Sequence, residues 1–311
     1  MTRIVRAALT QTVNAYGGMP SSVEALDALA DKLEAVRHAN VEHHVALIGH
    51  AAAQGAKVIG LGELFTGPYF ALERRAFWRG LAECAGTGPT VSRLREVART
   101  HQMVIVAPIY EEDGEHRFNT AVFIDANGEL LGRYRKTHIP SGQNEQGEFD
   151  ERFYYQASDG APQPEGSDAQ HNDYFPVFRS AVGNLGAAIC FDRHFEGVMS
   201  SLSSAGAELV FSPAVTFGAK SERLWQTEFQ TDATRHRLFI GGSNRKGSEP
   251  PWNVEYFGCS HFVSPNGPCP NLSTHPELVI SDLNLEALAG ADPAGWDLQA
   301  NRRPSIYTRE S

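Results

Sequence analysis

The chain alternates between short apolar runs and stretches in which apolar residues recur every three or four positions. After the first run, in MTRIVRAALTQT, apolar residues recur at helical spacing over positions 26–33 and again over 41–52. The next run, AKVIGLGELF, predicts an extended segment. The chain is therefore expected to open with a strand, a helical region and a second strand.

The same pattern continues to the end of the sequence. Further strands are predicted in MVIVAPIY, NTAVFIDANGELLGRYRK, NLGAAIC, AELVFSPAV, HRLFIGGSNR, YFGCSHFVSPNG and ELVISDLNL, and helices near 194–206 and 222–236. The pair Asn127-Gly128 lies between two alternating apolar runs and predicts a short hairpin, because both residue types tolerate positive φ. These elements predict an α/β protein with layered sheets and outer helices, in one domain over residues 1–311.

Composition and charge narrow the possible partners. The 311 residues carry 27 Lys plus Arg against 37 Asp plus Glu, a formal charge of −10. A broad basic face for nucleic acid is therefore not expected. No apolar run is long enough to span a bilayer, and the N-terminal run is predicted to be a strand and not a signal peptide. The default expectation is a cytoplasmic enzyme.

The cysteines give no sign of a metal site or of disulfides. Cys84, Cys190, Cys259 and Cys269 lack the paired close spacing of zinc ligands and are too few to crosslink a chain of this length. The histidines show no metal-ligand spacing either. We expect four free thiols in a reducing compartment and no bound metal.

Three predicted strand ends carry residue types that could perform chemistry. Glu63 follows an apolar run in GLGELF, Lys136 lies among the cations of RYRKTHIP, and Cys190 ends a strand in AAICFDRH. Each residue could instead be structural. Glu63 could be a surface carboxylate, Lys136 could lie on a solvated hairpin edge, and Cys190 could be a small buried side chain. Together, a thiol, a base and a cation could attack a carbonyl and stabilise the oxyanion. His194, four residues after Cys190, remains a possible alternative base.

The order of these three stretches resembles the nitrilase superfamily of carbon-nitrogen hydrolases, and the resemblance extends from about Arg6 to about Tyr307. Within it the chain is most similar to the β-ureidopropionases, which hydrolyse N-carbamoyl-β-alanine, through stretches such as VIVAPIYEED, ICFDRH and WDLQANRRPSIY. The resemblance implies a four-layer αββα sandwich that assembles into homodimers or larger homo-oligomers. It also implies catalysis by Cys, Glu and Lys without a metal or an organic cofactor.

The resemblance assigns roles to individual residues. Glu63 is expected to be the general base, since shielding from water makes a carboxylate a stronger base. Cys190 is expected to be the nucleophile, and Lys136 and the backbone N–H of Phe191 are expected to hold the oxyanion. Glu151, in FDERFYY, matches a second glutamate that the family often has near its lysine. An activated Cys190 is expected to react with iodoacetamide ahead of the other cysteines.

The residues after the nucleophile are expected to select the substrate. Arg193 and His194 match the Arg-His pair of β-ureidopropionases, and a guanidinium could hold a substrate carboxylate in a bidentate pair. A local salt bridge or cap is the structural alternative for Arg193. Asp192 stands where a small residue is expected. Tyr69 and Ser212 are further candidates for substrate contact.

The resemblance implies that an N-carbamoyl amino acid is hydrolysed to the amino acid, carbon dioxide and ammonia through a carbamoyl thioester. Members acting on N-carbamoyl-D-amino acids also carry an arginine at this position, so other substrates stay open: N-carbamoyl-D-amino acids, N-carbamoylputrescine or simple amides. A non-catalytic scaffold is a further alternative. The C-terminal arm, about 291–311, is expected to pack on a partner subunit.

Overall fold

The computed structural model describes residues 3–160, 169–170, 172–290, 294–298 and 300–306. Four α-helices are present in these residues: α1 (Leu33–Ala53), α2 (Pro89–His101), α3 (Glu196–Ser204) and α4 (Ala219–His236). A 3-10 helix, Val23–Lys32, leads directly into α1. The helical spacing over 26–33 was therefore recognised correctly, although most of that stretch is wound more tightly than an α-helix.

Two large sheets form the centre of the molecule. The strands are, in chain order, β1 (Ile4–Thr10), β2 (Val58–Gly60), β3 (Val104–Asp113), β4 (His116–Ile124), β5 (Leu130–Arg135), β6 (Ser141–Asn144), β7 (Gly147–Asp150), β8 (Ala169–Gln170), β9 (Val177–Ser180), β10 (Gly183–Ala187), β11 (Leu209–Ala214), β12 (Phe239–Asn244), β13 (Lys246–Ser248), β14 (Glu255–Phe257), β15 (His261–Ser264), β16 (Gly267–Pro268) and β17 (Leu278–Asn284). The first sheet has the order β17-β1-β2-β3-β4-β5 and the second the order β16-β15-β12-β11-β10-β9-β8. The pairs β6-β7 and β13-β14 are separate hairpins.

The apolar contacts arrange these elements in four layers. One buried cluster joins α1 and α2 to the outer face of the first sheet, through residues such as Leu47, Leu94 and Ile105. Another joins both sheets to each other and to α3 and α4. The sheets approach so closely that a Cβ on Gly60 would lie 2.4 Å from the ring of Phe211. The predicted αββα sandwich is confirmed.

The structure corrects two local predictions. In AKVIGLGELF the strand ends at Gly60, and residues 63–66 form a turn in which Leu64 has a left-handed φ of 48°. In the β4-β5 hairpin only Gly128 of the Asn127-Gly128 pair has positive φ. The loop there is longer than two residues, because Asp125 N donates to Glu129 O and Gly128 N donates to Asp125 O, both at 2.8 Å.

The C-terminal arm is described only in part. Residues 291–293, 299 and 307–311, including Tyr307 at the end of the family resemblance, lie outside the described residues. Within the described part, Trp296 and Ile306 are more than half exposed, at 68% and 61%. None of the described helices is long and apolar enough to cross a membrane.

Candidate active site

The two sheets bring three predicted site residues to one region. Glu63 follows β2 and Lys136 follows β5, both in the first sheet, whereas Cys190 follows β10 in the second. All three side chains lie in the interior, with Glu63 and Lys136 fully shielded from solvent and Cys190 7% exposed. The fold therefore assembles this site between the sheets, from segments far apart in the sequence.

Lys136 lies between two carboxylates. Its Nζ is 2.8 Å from Glu63 Oε1 and 2.6 Å from Glu151 Oε2. Burial alone lowers the pKa of Lys136, but the charges of Glu151 and Glu63 more than offset this effect and raise the pKa above its ordinary value. The two carboxylates therefore favour the protonated, cationic form of Lys136.

Two further groups fix the carboxylate of Glu63. Asn119 Nδ2 donates to Oε1 at 2.8 Å, and the backbone N–H of Val215 donates to Oε2 at 2.6 Å. The carbonyl oxygen of Val215 lies 4.0 Å from Cys190 Sγ, so the residue that holds Glu63 also contacts the thiol. Neither Asn119 nor Val215 was predicted, because an isolated amide within a strand and a backbone N–H leave no local sequence signal.

Glu151 is held from its other side by Tyr69. The Tyr69 hydroxyl donates to Glu151 Oε1 at 2.9 Å, while Lys136 occupies Oε2. Burial raises the pKa of Glu151; Lys136 opposes this rise and Glu63 adds to it. Tyr69, predicted as a substrate contact, thus also orients a carboxylate of the site.

Cys190 begins a short 3-10 helix, Cys190–His194, in a left-handed conformation with φ of 50°. This backbone conformation is uncommon for residues other than glycine. Arg193 Nη1 donates to the Cys190 carbonyl oxygen at 2.7 Å and so holds the turn closed. Burial, followed by the charge of Glu63, raises the pKa of the Cys190 thiol to about 12. The resting thiol is therefore protonated near neutral pH, and a base must remove its proton before attack.

A cavity of about 510 Å³ opens onto this group. Six of the predicted site residues line it: Tyr69, Glu151, Cys190, Phe191, Arg193 and His194. Residues of the hairpin β6-β7 and of the start of α4 also line the cavity, and Glu145 Oε1 in this hairpin accepts a hydrogen bond from Ala219 N at 2.6 Å. The volume suits a small-molecule substrate.

Ser212 does not line this cavity. It lies opposite Gly242 in the parallel pair β11-β12, and a Cβ on Gly242 would meet the rings of Phe229 and Trp225. Neighbouring residues on paired strands point to the same face, so Ser212 faces α4. The alternation along β11, which the strand end alone did not reveal, turns this hydroxyl away from the site.

Arg193 and His194 both contact Glu228 of α4. His194 Nδ1 lies 2.7 Å from Glu228 Oε1, and Arg193 Nε lies 3.3 Å from Oε2 without forming a hydrogen bond. The local cap and salt bridge weighed as the alternative for Arg193 are thus both present. Glu228 also lines the cavity, with 21% of its side chain exposed against 1% for Arg193. Sequence reasoning missed this acidic neighbour.

The remaining cations of RYRKTHIP have structural partners. Arg135 binds Glu111 and Asp113 at 2.7 and 2.6 Å, and Arg133 binds Glu111 at 2.9 Å. His138 lies against Asp192. Only Lys136 of this group enters the site.

A second buried ion pair supports the turn that carries Glu63. Arg245 Nη2 donates to the carbonyl oxygens of Leu64 and Gly67 at 3.2 and 2.9 Å, and Nη1 binds Glu249. Glu249 in turn accepts a hydrogen bond from Tyr69 N at 2.9 Å.

In the described part of the chain no cluster of His, Cys, Asp and Glu has the arrangement needed to hold a metal ion. The four cysteines are all unpaired.

Known proteins share both the sequence pattern and the fold. The carbon-nitrogen hydrolase family matches residues 27–291. A β-ureidopropionase from Arabidopsis thaliana is 31% identical, over 98% of this chain and 72% of its own length. An N-carbamoylputrescine amidase from Oryza sativa subsp. japonica is 27% identical, over 94% of this chain and 96% of its own length. The crystal structure of a carbon-nitrogen hydrolase from Helicobacter pylori G27 has a TM-score of 0.77 at 21% identity, covering 98% of this chain and 97% of that one.

The family match spans most of the chain, and the two relatives are named as a β-ureidopropionase and an amidase. The chain belongs to the carbon-nitrogen hydrolase family of the nitrilase superfamily and is an amidohydrolase that acts on carbon-nitrogen bonds other than peptide bonds.

Proposed function

We propose that this amidohydrolase cleaves N-carbamoyl amino acids of the N-carbamoyl-β-alanine type, with Cys190 as nucleophile. The observation that carries the proposal is the buried Glu63–Lys136–Glu151 group beside Cys190 at a cavity that Arg193 also lines. A base, a fixed cation and a thiol support attack on an unreactive carbonyl, and an arginine supports binding of a carboxylate.

The first half of the reaction forms a thioester. Glu63 accepts the thiol proton while Cys190 Sγ attacks the ureido carbon. Lys136 Nζ and the N–H of Phe191 stabilise the resulting oxyanion. The intermediate collapses, the terminal C–N bond breaks, and Glu63 returns the proton to the departing nitrogen. Ammonia leaves, and Cys190 remains as the S-carbamoyl thioester whose nitrogen carries the amino acid.

Water completes the reaction. Glu63 accepts a proton from water as its oxygen attacks the thioester carbon, and the same two donors hold the oxyanion. The C–S bond breaks, and Cys190 recovers its proton from Glu63. The released N-carboxy amino acid loses carbon dioxide and leaves the free amine. One ureido substrate and one water thus give one amino acid, one carbon dioxide and one ammonia.

A cationic ureido substrate of the N-carbamoylputrescine type is the second candidate. Glu228 favours it, because this carboxylate is the more exposed member of the Arg193–Glu228 pair in the cavity lining. The ammonium group of such a substrate would be attracted to the Glu228 carboxylate. A substrate carboxylate would be repelled by Glu228 and would have to bind Arg193 in spite of that repulsion. The scaffold alternative has less support, because a protein without chemistry has no need for a buried cation between two carboxylates.

Ammonia release from a panel of substrates tests both candidates. The panel contains N-carbamoyl-β-alanine, N-carbamoyl-D- and L-amino acids, N-carbamoylputrescine and simple amides, with Cys190→Ala as control. We expect turnover of the carboxylate-bearing substrates that is lost in Cys190→Ala. In Arg193→Ala we expect KM to rise more for these substrates than for uncharged amides, and kcat to fall for both, because Arg193 also holds the Cys190 turn closed.

Other results from this substrate panel would support a different function. A preference for N-carbamoylputrescine that is lost in Glu228→Gln establishes the second candidate. Turnover of simple amides alone keeps the thiol chemistry but removes the proposed role of Arg193. Turnover that persists in Cys190→Ala contradicts the proposal itself.

A further inference from the structure

Asp192 stands where the family resemblance leads us to expect a small side chain, and its carboxylate is completely buried. Oδ2 accepts hydrogen bonds from the hydroxyl of Tyr134 at 2.5 Å and from the N–H of Ile189 at 3.1 Å. Oδ1 accepts one from the N–H of His138 at 2.9 Å and lies 2.8 Å from His138 Nδ1. One carboxylate thus engages four polar atoms on three residues.

These three residues flank the reacting groups. Tyr134 and His138 lie two positions before and after Lys136, and Ile189 immediately precedes Cys190. The Lys136 segment leaves the first sheet at β5, whereas the Cys190 turn leaves the second sheet at β10. Asp192 therefore joins two segments that no sheet hydrogen bond connects, at the place where their side chains must cooperate.

The neighbours of Asp192 fix its geometry. The imidazole of His138 is stacked on the ring of Phe195 at 3.7 Å, with only 11° between their planes, which orients Nδ1 toward the carboxylate. Asp192 does not belong to the cavity lining. A carboxylate offers about four acceptor positions, whereas an asparagine amide offers two acceptor positions and two donors. Both oxygens of Asp192 accept from N–H or O–H donors, which specifies aspartate and not asparagine.

We propose that Asp192 is a positioning residue that fixes Lys136 relative to Cys190 for attack and for oxyanion stabilisation. The inference rests on the proposed roles of Cys190 and Lys136. It also gives His138, one of the possible cations of RYRKTHIP, a part in the same bridge.

The central test is Asp192→Asn. Its amide places donors against donors and releases part of the bridge, so the Lys136 segment shifts relative to Cys190. A displacement of about 1 Å at a reacting group can cost about 10²-fold in rate. We expect kcat to fall by about this factor while KM changes little, because the variant leaves the cavity lining intact.

Tyr134→Phe removes a single hydroxyl from the same bridge and should lower kcat by a smaller factor. In the double variant the loss should be less than the product of the two single losses, because both act through one carboxylate.

Glu83→Gln is the matched control. Glu83 is also buried and also accepts a backbone hydrogen bond, from Thr90 N at 2.9 Å, but this bond stays within the segment that leads into α2 and does not join the Lys136 and Cys190 segments. Its kcat should match that of the wild type.

Unchanged kcat in a folded Asp192→Asn, or a change confined to KM, overturns the inference. An equal loss in Glu83→Gln does so too, because the effect would then be a general consequence of removing a buried charge. If Asp192→Asn does not fold, Tyr134→Phe decides: a lower kcat at unchanged KM supports the bridge, and wild-type kcat contradicts it. Cys190→Ala distinguishes failure of the proposed function from failure of the positioning role. An active Cys190→Ala contradicts the proposed function. An inactive Cys190→Ala together with a fully active Asp192→Asn contradicts only the positioning role of Asp192.

Discussion

Lys136 is one ammonium group between two buried carboxylates, and this arrangement determines what its removal should do. In the described residues, the side-chain carboxylates of Glu63 and Glu151 form no salt bridge other than the ones to Lys136. Without Lys136, two carboxylates would face each other in a site shielded from water. A buried charge that loses its partner is strongly destabilising.

We therefore predict that Lys136→Met lowers kcat by at least about 10²-fold, through loss of the oxyanion donor. It should also lower the free energy of unfolding by about 3–5 kcal/mol. Steady-state kinetics and urea denaturation measure the two effects. Lys57→Met, at an exposed lysine, is the control and should change neither. Wild-type kcat in Lys136→Met would show that the ammonium group takes no part in the reaction.

The thiols give a prediction that reverses the expectation from sequence. Cys190 is buried with its pKa raised to about 12, whereas Cys84 is exposed and hydrogen bonds from Thr87 lower its pKa. Only the thiolate reacts with iodoacetamide, and a raised pKa leaves less thiolate at a given pH. At pH 7 to 8, Cys84 should therefore be alkylated before Cys190 in the free enzyme. Peptide mass spectrometry shows which cysteine is alkylated first. Faster labelling of Cys190 would contradict the raised pKa of its thiol.

Sequence reasoning at this scale succeeded where a residue type and its place in a motif coincided. Glu63, Lys136, Glu151 and Cys190 do lie together, as the family signature implied. Asn119 and Glu228 were missed because their importance comes only from what another element places beside them. Ser212 was misplaced because a strand end does not reveal which face a side chain takes.

At the scale of elements, the turn after β2 depends on a residue far away in sequence. Residues 63–66 leave the strand conformation with Leu64 at positive φ, and Arg245, after β12, binds the carbonyl oxygens of this turn. Apolar periodicity located β2 but could not show where it ends, because the buried guanidinium that holds the turn lies far along the chain. The longer elements, such as β3 and α4, were predictable from their own periodicity.

We predict that Arg245→Met lowers kcat by about 10²-fold, because Glu63 loses its fixed place. Arg37→Met is the matched control: Arg37 is also buried and also donates to a backbone carbonyl, that of Gly80 at 3.2 Å. Both variants should lose thermal stability, but only Arg245→Met should lose kcat. Equal kcat in the two variants would mean that Arg245 serves stability alone.

At the scale of the whole molecule, we propose that the C-terminal arm takes part in a homo-oligomer. Trp296, Leu298 and Ile306 are large apolar side chains that a single chain leaves exposed. Large apolar side chains that are exposed in a single chain favour contact with another protein surface, and most soluble oligomers consist of identical subunits. The αββα layering was predictable from the resemblance and from the alternation of elements, whereas neither periodicity nor charge gives a subunit number.

The corresponding prediction concerns size in solution. The wild type should elute as a homodimer or larger assembly in size-exclusion chromatography with light scattering. Trp296→Glu should shift it toward the monomer, while His50→Glu, at another exposed position, should not. A monomeric wild type would contradict an oligomer, and an unchanged Trp296→Glu assembly would exclude this side chain from the interface.

The account as a whole depends on one covalent event, the transfer of a carbamoyl group to Cys190. The most direct measurement is rapid acid quenching of the wild type during turnover of N-carbamoyl-β-alanine, followed by peptide mass spectrometry. Glu63→Gln lacks the base that accepts the thiol proton and should form no adduct. We predict an adduct that carries the carbamoyl group and the amino acid on the peptide containing Cys190, and none without substrate. An adduct on another residue, together with undiminished turnover in Cys190→Ala, would contradict the account.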